Sequence, residues 1–235
     1  MAIWVGTSGY NYPEWKGSFY PDTLAASKML PYYAERFPTV EINYTFYREP
    51  TERILDGWSR ATPDRFKLTL KAPKHITHDR RLRYCADALR RFLETAAVLG
   101  PKLGALLFQL PPNLKKDLAL IDGFLEAFPP RVAAAFEFRH LSWLDAEVYG
   151  RLRARNLALC VADSERLETP VELTADYAYF RLRDEGYTPE DIQRWASVIA
   201  DRTSALTDVY VYFKHEEQGK GPELARLLMR HLGIE

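Results

Sequence analysis

Short apolar runs alternate along this chain with longer segments whose apolar residues recur every three or four positions. The short runs predict strands: AIWVGTS near the start, TVEIN from Thr39, FKLTLKA from Phe66, GALLFQL from Gly104, AAAFEFR from Ala133, LALCVAD from Leu157, YAYFRLR from Tyr177 and DVYVYFK from Asp208. The longer segments predict helices. Leu89, Phe92, Leu93, Ala96 and Leu99 share one face ahead of Gly100-Pro101, and Leu118, Ile121, Phe124, Leu125 and Phe128 share another ahead of Pro129. Thr188-Pro189 reads as a helix cap followed by proline in the first turn, before Ile192, Trp195 and Ile199. Eight such units at about 30 residues each predict an α/β protein, a (β/α)8 TIM barrel forming a single domain over residues 1–235. One irregular unit is expected between the sixth and seventh strands, because Asp163 to Asp176 has possible caps but little helical period. Glycine-rich phosphate loops do not follow any strand, so an open nucleotide-binding sheet has no positive support.

Composition narrows the picture. At 235 residues and 47% hydrophobic the chain can bury a sizeable core, and 32 basic residues balance 32 acidic ones, so any attraction for anions must be local. Two cysteines, Cys85 and Cys160, lie in predicted regular structure and read as free thiols of a reducing compartment. With no leader-like start and no apolar run long enough to span a bilayer, the expected location is the cytoplasm, away from the membrane.

Strand alternation then sorts the polar residues. In a parallel barrel alternate side chains point inward, and the reactive end is the carboxyl end of the strands. If Val40 and Ile42 face the helices, Glu41 and Asn43 point inward, and the same rule sends Glu137 and Arg139 inward between Phe136 and Phe138. It adds Lys67, Thr69, Lys71, Gln109, Asp163, Tyr179, Arg181, Tyr210, Tyr212 and Lys214. Seven strands therefore supply one polar mouth. Glu41, Glu137, His140 and Asp163 are the candidate catalytic groups, and Lys71, Arg139 and Arg181 suit a phosphate or carboxylate. A purely structural alternative exists, since buried charges must be paired whatever they do.

Two loop features flank the mouth. GYNYPEWKGSFYP and YTFYREP are dense in aromatics, which fit either stacking on bases or sugars or a small satellite core. KAPKHITHDRRLRY sets Lys71, Lys74, His75, His78, Arg80, Arg81 and Arg83 against one acid, Asp79, as an anion patch or a solvated loop. The histidine pattern falls short of a catalytic zinc set, so no metal or other cofactor is expected.

The motifs GTSGYNYPEWKGSFYP, TVEINYTFYREP, FKLTLKAPKHITH, LGALLFQLPP and FEFRHLSW resemble those of domain of unknown function 72, the YecE-like family, nearly end to end. That resemblance implies a (β/α)8 barrel similar in fold to the endonuclease IV and xylose isomerase type, but no established reaction. Positions matching its motifs include Thr7, Ser8, Gly9, Glu41, Asn43, Tyr47, Lys71, His78, Gln109, Pro111, Glu137, Arg139, His140, Trp143, Asp163 and Arg181. Where relatives often carry RLHG and YFNN, this chain has Leu182-Arg183-Asp184 and Phe213-Lys214-His215, which add positive charge. The expectation is a metal-independent enzyme for a small anionic substrate, with Thr7, Ser8, Asn43, Tyr47, Lys71, His78, Gln109, Arg139, Trp143, Arg181 and Lys214 in binding roles. A nucleic-acid binding or processing protein and a non-catalytic scaffold are the alternatives.

Overall fold

The computed structural model describes residues 1–130, 132–164 and 167–234. Its strands are β1 Ala2–Ser8, β2 Thr39–Ile42, β3 Lys67–Leu70, β4 Leu106–Gln109, β5 Ala134–Glu137, β6 Ala158–Asp163, β7 Tyr177–Leu182 and β8 Asp208–Phe213. All pair in parallel in the order β3-β2-β1-β8-β7-β6-β5-β4. Bridges from Leu68 to Leu103 and from Lys71 to Leu107 join β3 to β4 and close the ring. The eight predicted strands are thus all present, and the fold is a (β/α)8 barrel.

The helices are α1 Met29–Ala34, α2 Tyr44–Tyr47, α3 Glu52–Arg60, α4 Ala86–Ala96, α5 Leu118–Glu126, α6 Ala146–Ala154, α7 Pro189–Thr203 and α8 Lys220–Leu232. Local chemistry starts and stops them. The Asp117 and Asp145 side chains accept from Leu120 N and Val148 N, and Thr188 forms a capping box with Asp191 ahead of Pro189. Gly233, at φ 66°, ends α8 in the left-handed conformation that glycine adopts without strain. Between β6 and β7 no helix occurs among the described residues, as the weak periodicity there predicted; Glu165 and Arg166 lie outside them. None of the described helices is long and apolar enough to cross a membrane.

The two faces of the strands build two cores. Val40, Ile42, Leu68, Leu70, Phe108, Phe136, Val161, Phe180, Val211 and Phe213 look outward to the helices. Inside the barrel, Tyr177, Tyr179, Tyr210 and Tyr212 from β7 and β8 pack with Leu107 and with the small residues Ala105, Ala135, Ala158, Cys160 and Ala162 of the neighbouring β6-β5-β4 wall. Large rings from two strands and small side chains from their neighbours together fill the interior. Gly104 belongs to this fit, because a Cβ there would lie 2.7 Å from Thr69 Oγ1 and 3.3 Å from the Tyr210 ring. The tyrosine layer is a floor. Tyr212 OH is 2.7 Å from both Thr39 Oγ1 and Thr69 Oγ1, and the charged residues begin one layer higher, at the carboxyl ends of the strands.

Candidate functional site

Arg181, at the end of β7, is fully buried and reaches two carboxylates from different parts of the barrel. Its Nε and Nη2 donate to Glu41 Oε2 and Oε1 at 2.9 and 2.7 Å, and its Nη1 donates to Glu137 Oε2 at 2.6 Å. Tyr179 OH donates to Glu41 Oε2 at 2.5 Å, and Ser8 Oγ donates to Glu41 Oε1. Asn43 Nδ2 and Arg181 Nη2 donate in turn to Ser8 Oγ at 2.8 and 3.1 Å. Gln109 Nε2 lies 2.9 Å from both oxygens of Glu137, while Gln109 Oε1 accepts from Lys71 Nζ at 2.9 Å.

These bonds decide the charge states. Burial pushes the Glu41 carboxyl up, but the Arg181 charge and the bonds from Arg181, Ser8 and Tyr179 outweigh it and hold the group below its ordinary range. For Glu137 burial is outweighed by Arg181, Arg183 and Arg139, which bring it down to about 2. Both glutamates are therefore carboxylate anions near neutral pH. Lys71 moves the other way: burial, then the Arg181 charge, lower its ammonium to about 8 against the pull of Glu137 and Glu41. His78 is lowered to about 4 by burial and by Lys71, Arg139 and Lys74, so it is neutral near pH 7.

Around this floor stands a ring of partly exposed cations. Arg139 Nε and Arg183 Nη1 each lie 3.6 Å from Glu137 Oε1, with side chains 31% and 20% exposed. Lys214 pairs with Glu216 at 3.3 Å. Lys71 Nζ sits 4.1 Å from the centre of the Phe46 ring, and His78 packs edge-on to that ring at 4.9 Å. His78 belongs to a single π-helical turn, His75–Asp79, a form of backbone that recurs at functional sites.

The structure thus brings together Ser8, Glu41, Asn43, Lys71, Gln109, Glu137, Arg139 and Arg181. Other expected residues are placed elsewhere. Asp163 does not point into the barrel: it shares the outward face with Leu159 and Val161, and its Oδ2 accepts from Tyr187 OH at 2.6 Å and Trp195 Nε1 at 3.2 Å. Thr7 is turned outward as well, its hydroxyl 2.6 Å from Gly9 O and 2.9 Å from Tyr33 OH. Trp143 is fully buried, donates to Leu114 O at 2.7 Å and stacks on Phe138. His140 turns Nδ1 to Ser142, 2.9 Å from its hydroxyl, and caps the turn Leu141–Trp143. Tyr47 stands 76% exposed on the rim.

Arg183 and Tyr179 join the site although the motif-based set of binding residues lacks them. The signal was available, since Tyr177, Tyr179, Arg181 and Arg183 keep one parity along β7 and past its end. The aromatic loops are partly buried and partly open. Trp15, Phe19 and Tyr20 are buried with Tyr33 and Phe37 as part of the main core around the barrel, not as a separate satellite core. Tyr10, Tyr12, Tyr44 and Trp58 instead line an open cleft beside Asn43.

Comparison with known proteins agrees with this architecture. Residues 4–235 match the model of a protein family described as protein of unknown function DUF72. The chain belongs to the DUF72 family. It is 30% identical to the UPF0759 protein YecE of Escherichia coli K12, covering 98% of this chain and 92% of that one. The UPF0759 protein YunF of Bacillus subtilis is 24% identical, with 99% and 95% covered. A solved DUF72 family structure from Thermotoga maritima superposes with a TM-score of 0.88 at 27% identity, over 99% of this chain and all of that one. As in the sequence reading, DUF72 membership brings a fold and no reaction, so the chemistry must be argued from the side chains.

Proposed function

We propose that the barrel mouth binds a small anion, a phosphorylated or nucleotide-like substrate, and acts on it without a metal ion. One observation carries this reading. Lys71, Arg139, Arg181 and Arg183 stand against Glu41 and Glu137, four cations to two anions, in a site whose floor is closed to water. Arg181 is spent on the two glutamates, which leaves the exposed edges of Arg139 and Arg183 and the Lys71 ammonium to meet a ligand. Arginine pairs of this kind suit the oxygens of phosphate or carboxylate.

Support for metal independence comes from how the carboxylates are used. Every oxygen of Glu41 and Glu137 accepts from Arg181, Ser8, Tyr179 or Gln109, so a cation would have to displace buried charge-assisted bonds. The same saturation argues against these two residues as proton carriers, and we assign them instead to fixing Arg181 and the field above it. The nucleic-acid alternative draws less support. Its basic segment is engaged locally: Lys74 pairs with Asp79, Arg83 with Asp117, and Arg81 donates to Asn113.

Calorimetric titration with inorganic phosphate and with a nucleoside monophosphate at low ionic strength tests the proposal. The expected result is saturable binding that weakens as salt is added and is lost in the double variant Arg139→Gln, Arg183→Gln. No binding at millimolar ligand would leave the scaffold alternative standing.

A further inference from the structure

We infer that Lys71 is a covalent residue, forming an imine with the carbonyl carbon of an anionic substrate held by Arg139 and Arg183. This rests on the anion-binding reading of the same mouth and narrows its substrate to a carbonyl compound.

Lys71 combines burial of its nitrogen with the lack of a carboxylate beside it. Lys74, Lys116, Lys214 and Lys220 pair with carboxylates, Lys67 donates to Pro101 O at the surface, and the buried Lys102 donates to the carbonyls of Ser59 and Thr62 with Asp64 3.9 Å away. Lys71 Nζ donates to a neutral amide oxygen, Gln109 Oε1, and among the described residues no carboxylate oxygen lies within 4.0 Å of it. Gln109 has no freedom to turn over. Its Nε2 is held by both oxygens of Glu137, which forces its carbonyl toward Lys71. The amide is therefore a spacer that orients the amine by way of Glu137 while keeping the negative charge away from it.

The rest of the lysine is fixed. Lys71 N donates to Ile42 O at 3.1 Å, Lys71 O accepts from Thr45 Oγ1 at 2.6 Å, and the stem leads to the Phe46 face. The residue keeps 8% exposure, at the carboxyl end of β3 where the mouth opens. A buried, cation-flanked amine with a neutral partner is the arrangement that keeps a lysine nucleophilic. With its ammonium lowered to about 8, roughly a tenth is free amine at pH 7, hundreds of times more than for an exposed lysine.

The step balances without a redox partner. The amine lone pair adds to the carbonyl carbon, the C=O π pair moves to oxygen, and both nitrogen protons pass to that oxygen, which leaves as water. The product is C=N, and a proton from solvent turns it into an iminium. That cation is an electron sink for proton abstraction or carbon–carbon cleavage beside the former carbonyl.

The experiment incubates the intact protein with dihydroxyacetone phosphate or pyruvate, adds sodium borohydride, and locates the reduced adduct by peptide mass spectrometry. We expect one adduct on the peptide containing Lys71, none in Lys71→Arg, and labelling cut roughly tenfold by inorganic phosphate near saturation. Calorimetry with inorganic phosphate runs alongside on wild type and Lys71→Arg. Phosphate binding without an adduct overturns the imine and leaves the anion site intact, whereas absence of both removes the anion site as well. Adducts spread over several lysines, or persisting in Lys71→Arg, also overturn it.

Discussion

Arg181 grips Glu41 with two parallel bonds, Nε to Oε2 at 2.9 Å and Nη2 to Oε1 at 2.7 Å, inside a barrel where neither side chain is more than 1% exposed. The same guanidinium holds Glu137 at 2.6 Å. Three charges that would each be costly alone are thereby made into one rigid plate, and the glutamates lie 96 positions apart in the chain, at 41 and 137.

Replacing Arg181 by Met leaves the buried Glu41 without a cation and Glu137 with only the partly exposed Arg139 and Arg183, each 3.6 Å away. Removing one partner of a buried pair costs about 3–5 kcal/mol, because the remaining charge is uncompensated. Urea unfolding should show a loss of that size, partly recovered at acid pH where the glutamates take up protons. An unchanged midpoint would show that the plate does not contribute to stability.

The pH dependence has a definite sign. Glu137 is lowered from its ordinary 4.5 to about 2, so its stabilisation is complete above the unfolded value and is lost as pH falls from about 5 toward 2. The size is roughly 3 kcal/mol. Lys71 acts at the other end: its lowered ammonium means that stability rises as pH climbs from about 8 to the ordinary 10.5. Glu137→Gln should flatten the acid limb of a stability–pH curve, and Lys71→Met the alkaline one.

Arg139 and Arg183 are the exposed cations nearest Glu137. Arg139→Gln and Arg183→Gln should each weaken phosphate binding about 10- to 100-fold, the equivalent of one charge-assisted bond. Melting temperature should change little, since Glu137 keeps Arg181 and Gln109. Equal binding in both variants and wild type would place the anion elsewhere.

Asp163→Ala separates structure from chemistry. It strips the acceptor from Tyr187 OH and Trp195 Nε1, which should cost about 1–3 kcal/mol in stability. Phosphate affinity at a temperature where the variant is folded should match wild type. A selective loss of binding with normal stability would return Asp163 to the mouth.

The fold was legible because its signals are local. A strand's period of two and a helix's period near 3.6 are written in neighbouring residues, and so are the caps at Asp117, Asp145 and Thr188. Parity alone turned Glu41, Glu137, Arg139 and Arg181 inward, as the structure has them. Asp163 shows the same rule applied too loosely, since Leu159 and Val161 on its own face already pointed to the helices. Thr7 and Trp143 carried motif identity, which marks a position as characteristic without saying whether it meets ligand or core.

What the sequence by itself determined is the barrel, its outward apolar face and the set of charges at the strand ends. Only the tertiary structure decided how those charges are shared. Arg181 could have served a ligand, but closure of the barrel places it between Glu41 and Glu137, and Gln109 then stands between Glu137 and Lys71. Burial and pairing set the protonation states, and both depend on which residues distant in sequence arrive within 3 Å of each other. No local pattern encodes that distance, which is why the sequence names these residues but not their pairing, in which Glu41 and Glu137 are held below the ordinary carboxylate range and Lys71 is lowered to about 8.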